Sequence, residues 1–276
     1  MESVGCVEAW RDAPDQQALG EPVRLEDLTH PTWLVRRGHA LEEISMAKSA
    51  PVLFDLDGVI IDNCRFEQRV TSFIISELAS KRGWTLNQAE TAWKASLSEN
   101  RDAPRWHDYA FHCENLGLGN VWQTAHIASR RFLSPVPNIE KALAVASHCG
   151  GCWIASDATL WVIHFKLQAV GIDANTFVET FSLDRCGLSK TRDEYWLAVR
   201  DCLTPKTDFC VYVDNRLDLL AKASAIIERI RLIWLPTPDH PDSLGFVRQA
   251  ARAALDKVDQ VSPTTLADAV AAALYL

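Results

Sequence analysis

From Pro51 onward, short unbroken apolar runs alternate with longer stretches in which apolar residues recur every three or four positions. The runs at 51–55, 152–156, 177–182, 209–213 and 230–235 have the length and composition of buried strands. The periodic stretches predict helices at about 65–81, 87–98, 104–116, 120–132, 138–148, 158–170, 191–202, 216–226, 243–257 and 264–274. In the first of these, Phe66, Val70, Phe73, Ile74 and Leu78 would share one face. Apolar strands separated by helices argue for a parallel sheet covered on both sides. Between about 62 and 150 the pattern holds no strand, so an all-helical block follows the first strand and reads as a lid. Residues 1–48 differ again. They are polar, carry Pro14, Pro22 and Pro31, and show only a weak helical patch around His39 to Met46.

Composition narrows the picture. A chain of 276 residues with 48% hydrophobic positions can bury one large α/β core with an insert. A net charge of -8 argues against nucleic acid or an anionic membrane as the main partner. No apolar run reaches the roughly 18 residues of a membrane span, and the N-terminus has no signal-peptide pattern, so a cytoplasmic protein is expected. The 8 cysteines are scattered, as reduced thiols would be. Cys149-Gly-Gly-Cys152 has the spacing of a redox pair or half a zinc site, but no second ligand pair accompanies it. Packing and a turn between helix and strand account for it better.

The chemistry gathers at strand ends. Val52 to Ile61 reads Val-Leu-Phe-Asp-Leu-Asp-Gly-Val-Ile-Ile, which puts Asp55 and Asp57 on one side of the chain as it leaves the first strand. Ser156 ends the strand at 152–156, and Asp214 ends that at 209–213, with Asn215 next and Asp218 four residues on. Lys190 precedes a helix in Gly-Leu-Ser-Lys-Thr-Arg-Asp. Ligands of parallel α/β sheets collect beyond the carboxyl ends of the strands. Acids, a hydroxyl and a lysine there suit a phosphoryl group with a hard divalent cation, magnesium.

In this order and on these elements, the residues resemble the four motifs of the haloacid dehalogenase superfamily, in its phosphotransferase branch. Asp55-Leu-Asp57-Gly58-Val59 matches the first motif, Ser156 the second, Lys190 the third and Asp214-Asn-Arg-Leu-Asp218 the fourth. The fourth departs from the usual Asp-Asp or Gly-Asp, since it reads Val213-Asp214-Asn215. Either Asp214 is the second member of that pair, or it is the first and Asn215 takes the second place. The resemblance covers about residues 50–236 and leaves the N-terminal extension unexplained. It implies a Rossmann-like three-layer α/β core with a parallel sheet, built from 49–62 and 134–276. Residues 63–133 would form an inserted all-helical cap of the C1 type, and 1–48 an extension.

The same resemblance implies magnesium-dependent hydrolysis of a small phosphorylated metabolite through an aspartyl-phosphate. Asp55 would be the nucleophile and Asp57 the general acid and base. Ser156 and Lys190 would hold phosphoryl oxygens, and Asp55, Asp214 and the backbone carbonyl of Asp57 would bind the metal. Asn215 and Asp218 would be auxiliary, Asp218 orienting Lys190 or a metal-bound water. An aspartate at 57 points to phosphate esters, because displacing halide needs no proton donor. Two alternatives stay open: a phosphomutase, and a binding protein that keeps the fold without turnover. In the helical block, Trp93, Trp106, His107, Tyr109, His112, Trp122 and His126 could meet substrate, although core packing is the commoner role. Arg101, Arg105, Arg130 and Arg131 could meet an anionic leaving group or simply face solvent.

Overall fold

The computed structural model describes residues 50–101, 103–203, 209–237, 258–262 and 264–275. The extension at 1–48 and the helix expected at 243–257 lie outside them. Six strands form one sheet, all parallel: β1 (Val52–Phe54), β4 (Cys152–Ala155), β5 (Phe177–Phe181), β6 (Cys210–Asp214), β7 (Ile230–Trp234) and β8 (Val258–Gln260). Their order is β5-β4-β1-β6-β7-β8, so β1 is central and pairs with both β4 and β6.

The alternation of side chains along these strands builds a core on each face. Val52 and Phe54 of β1, Cys152 and Ile154 of β4, and Val211 and Val213 of β6 point to one side. There they meet α5 (Ile139–Ser147) and α10 (Leu266–Tyr275). Leu53, Trp153, Ala155 and Tyr212 point to the other. They pack against Tyr195, Trp196 and Val199 of α8 (Asp193–Cys202) and Leu220 and Ala223 of α9 (Leu217–Ile226). Fully burying each large side chain contributes about 1.5–3 kcal/mol, so both helical layers are needed to cover the sheet. The result is the expected three-layer Rossmann-like arrangement.

The first strand leads into four helices, α1 (Cys64–Arg82), α2 (Leu86–Glu99), α3 (Tyr109–Asn115) and α4 (Val121–Ser129), with their own apolar cluster. Phe66, Val70, Ile74 and Leu78 are buried at helical spacing along α1, against Ala89, Trp93, Cys113 and Ala125. Gly83 ends α1 in a left-handed conformation, and Thr85 and Gln88 form a capping box that starts α2. Asp108 accepts a hydrogen bond from the Ala110 amide, so α3 begins at Tyr109 and the preceding residues turn, where the sequence suggested helix from 104. The expectation of no strand between 62 and 150 needs correcting. Short β2 (Ile61–Asp62) and β3 (Ser134–Pro135) pair antiparallel where the chain enters and leaves the helical block. Two residues are too few to leave an alternation in the sequence.

The Cys-Gly-Gly-Cys segment is a turn into β4. A Cβ on Gly150 would lie 2.2 Å from the Ala50 carbonyl carbon, and Gly151 has φ +88°. Cys152 is buried, with Sγ 3.2 Å from the Leu143 carbonyl oxygen, and the described cysteines form no disulfide. α6 (Leu160–Ala169) follows β4, and the short α7 (Leu183–Cys186) follows β5. No described helix is long and apolar enough to cross a membrane.

Candidate active site

β1, β4 and β6 end side by side, and the chain continues from β1 to one half of the sheet before returning to build the other. That switch point opens a crevice for a ligand. Asp55 follows β1 directly, its amide donating to the Val213 carbonyl at 2.9 Å. Asp214 is the last residue of β6 and is fully buried. Between the two lies the Lys190 ammonium, 2.6 Å from Asp55 Oδ1 and 3.0 Å from Asp214 Oδ2. Lys190 is 2% exposed. Its amide donates to Asp157 Oδ1 at 2.6 Å, and its carbonyl accepts from Trp196 Nε1 at 2.8 Å, so backbone as well as side chain is fixed. Asp214 is held further by the Tyr212 hydroxyl and, at 2.8 Å, by the Arg216 amide.

Burial pushes the Asp55 carboxyl up to about 8; the Lys190 ammonium opposes that shift and Asp214 adds to it. Burial would lower Lys190, but Asp214 and Asp55 hold it above its ordinary value. Two buried carboxyl groups thus share one ammonium, and burial penalises the ionisation of Asp55 there. A hard dication would relieve that penalty, and carboxylate oxygens are the donors magnesium takes. Among the described residues no three His, Cys, Asp or Glu side chains are grouped so as to hold a metal ion by themselves. Asp55 and Asp214, both within 3.0 Å of the Lys190 ammonium, are the two carboxyl groups there that could serve as donors to such an ion.

The Asp57 carboxylate is turned elsewhere. Its two oxygens lie 2.8 and 3.0 Å from the ammonium of Lys166 on α6. Lys166, itself 2% exposed, reaches Glu67 Oε1 of α1 at 2.9 Å, and the other Glu67 oxygen accepts from the Tyr109 hydroxyl of α3. Burial raises the Asp57 carboxyl; Lys166 lowers it and Glu67 raises it, and the net direction is upward. Glu67 moves the opposite way, because Lys166 and Tyr109 outweigh its burial. Of the two acids sharing one ammonium, Asp57 is the one that keeps a proton more readily. Sequence reasoning missed Lys166 and Glu67, and offered Tyr109 only as a candidate substrate contact. The available signal was a lysine between Phe165 and Leu167 on a helix that is otherwise almost entirely apolar.

Ser156 is buried at the end of β4, and its hydroxyl accepts from the Ala158 amide at 3.1 Å. Asn215 donates to Thr237 Oγ1 at 3.3 Å, and its Nδ2 would lie 2.2 Å from a Cβ on Gly58. Gly58, with φ +83°, is thus required both by the turn and by this close approach. Asp218 makes no ion pair with Lys190. Its carboxylate pairs instead with Arg216 at 2.6 Å and is 41% exposed. In the helical block, His112 is buried between Ser96 Oγ and the Trp106 carbonyl. His126 sits among Phe66, Tyr109, Trp122, Trp161 and Phe165. Trp122 packs edge-on against Trp161. Arg105 pairs with Asp108, and Arg131 lies over Phe132. A cavity of about 830 Å³ joins Asp55, Asp57, Ser156 and Lys190 to Trp93, Trp106, His107 and Tyr109.

No protein-family model and no curated protein matches this sequence. Solved structures do match. A HAD phosphatase from Thermococcus onnurineus has 17% identity and a TM-score of 0.64, over 80% of this chain and 97% of that one. The chain has the haloacid dehalogenase fold. A putative beta-phosphoglucomutase from Thermotoga maritima is similar at 18% identity and TM-score 0.51, over 80% of this chain and 98% of that one. A HAD family hydrolase from Deinococcus radiodurans R1 with bound phosphate and sodium is similar at 20% identity and TM-score 0.50, over 83% and 98%. At such identities the haloacid dehalogenase fold is what is shared. What this chain does with it rests on its own residues.

Proposed function

We propose that this protein is an enzyme that hydrolyses a small phosphate monoester, with residues 63–133 acting as a cap over the site. The supporting observation is the Lys190 ammonium held between Asp55 and Asp214 at 2.6 and 3.0 Å, where the cavity meets the sheet. The phosphatase and phosphate-bound hydrolase that share the fold support the same reading. Asp55 Oδ attacks phosphorus, the bond to the ester oxygen breaks, and Asp57 delivers its proton to the departing alkoxide. Asp57 then takes a proton from the water that cleaves the aspartyl-phosphate, returning Asp55 to carboxylate. Lys190 and Ser156 hold phosphoryl oxygens while charge moves onto them. A magnesium ion bound to Asp55, Asp214 and the Asp57 carbonyl would neutralise the repulsion between carboxylate and phosphate dianion.

Phosphate release from a panel of monoesters, with magnesium and with chelator, tests this. Turnover that needs magnesium and disappears in Asp55→Asn is the expected result. Undiminished hydrolysis by Asp55→Asn would overturn the mechanism. The reducing, cytoplasmic location expected from the scattered thiols belongs to the same proposal.

A further inference from the structure

The cavity wall contributed by the helical insertion differs in kind from the wall contributed by the sheet. Around the whole cavity, carboxylates outnumber lysine and arginine by six to three. The three cations, Lys166, Lys190 and Arg216, all come from the sheet-bearing part, and each is paired with a carboxylate. Among the described residues that line the cavity, the insertion supplies no lysine or arginine. Its two histidines there are held below their ordinary values, chiefly by burial, and stay neutral. What it does supply is Trp93, Leu97, Trp106 and Tyr109, beside the acidic Glu67 and Asp108 and the neutral polar Asn63, Gln68 and Thr71.

Resting on the hydrolase reading, we propose that the leaving group is an aromatic or otherwise apolar alcohol without a second anionic group. One phosphate is met at the sheet end by Lys190. A second phosphate or carboxylate, carried on the leaving group, would enter a region already rich in carboxylates and find no unpaired cation among the described residues that line it. Desolvating such a charge without a partner is unfavourable. Rings and Leu97 instead reward apolar surface. This also weighs against a mutase, whose bisphosphate intermediate must seat a second phosphate at the distal end.

The test measures phosphate release by the full chain with magnesium from 2-phenylethyl phosphate, ethyl phosphate, phosphocholine and fructose 1,6-bisphosphate. The first two are alkyl esters of similar leaving-group acidity, so their difference reports the wall. The kcat/KM for 2-phenylethyl phosphate should exceed that for ethyl phosphate about tenfold and that for the bisphosphate about a hundredfold. Trp106→Ala should collapse the first preference. Gln68→Arg, at an exposed position on the cavity rim, should raise turnover of the bisphosphate about tenfold. Equal rates for the two alkyl esters, or a preference for phosphocholine or the bisphosphate, would overturn this inference and leave hydrolysis standing. If no ester is turned over, the hydrolase reading fails. The ranking is then read from calorimetric binding of the same four compounds, and tightest binding of the bisphosphate overturns the inference there too.

Discussion

Two buried lysines, each lying between two carboxylates, divide the site, and they are built for different purposes. Lys190 holds Asp55 and Asp214, whose side chains are 9% and 0% exposed, and every member comes from the ends of the sheet or the loop before α8. Lys166 holds Asp57 and Glu67, which are 33% and 32% exposed, and one of its partners belongs to the helical insertion. The first arrangement is enclosed, which suits the nucleophile and metal ligands proposed above. The second opens on the cavity and ties Asp57, the proton donor proposed above, to Glu67 of the helical insertion. The same pair of charges therefore acts as a fixed frame in one place and as a link between core and insertion in the other.

Breaking the enclosed frame should have the largest effect. Asp55→Asn should lower kcat by at least about a thousandfold in a phosphate-release assay while the circular dichroism spectrum stays native. Lys190→Met leaves two buried carboxylates facing each other, and should cost about 3–5 kcal/mol in urea denaturation without metal. Magnesium should restore part of that loss; a variant as stable as the parent would show that the frame is not under charge strain.

The open link should respond less. Lys166→Met should cost about 1–3 kcal/mol, since cavity solvent screens the carboxylates it leaves, and should reduce kcat more than it changes KM. Glu67→Gln keeps Lys166 beside Asp57 and should cost less than about 1 kcal/mol. If Glu67→Gln were the more damaging of the two, the lysine would not be the centre of the link. Asp218→Asn should be milder again, under about 1 kcal/mol and within a factor of a few in rate, because its ion pair with Arg216 is half in solvent.

A pH experiment sharpens the comparison from the insertion's side. Burial, with the Lys166 ammonium nearby, pushes His126 down to about 4 from its ordinary 6.5. Its Nδ1 bonds the Trp122 carbonyl and its Nε2 is buried without a partner, so the ring is neutral in the fold. Between those two pH values the unfolded chain carries a proton that the folded chain lacks. The stability contributed by the neutral ring is complete above about 6.5 and is lost as pH falls towards 4, by up to about 3 kcal/mol. His126→Phe should flatten this component when melting is followed from pH 7 to 4. An unchanged slope would mean that His126 is not the responsible group.

Much of the fold was legible because its signals are local. The strand and helix at each β–α step follow from apolar runs and three-to-four-residue periodicity, and α1 keeps its predicted buried face. The missing pieces, β2, β3, β8 and α7, are two to four residues long, too short for periodicity to register. The sequence by itself determined which residues stand at the strand ends, since a chain that alternates strands and helices must present Asp55, Ser156 and Asp214 along one edge. Only tertiary structure decided how they are paired. Lys166 and Asp57 are 109 positions apart, and Lys190 and Asp55 are 135 apart. Which carboxylate meets which ammonium depends on the crossing of helices whose relative placement comes from packing, and no local pattern of residues encodes that.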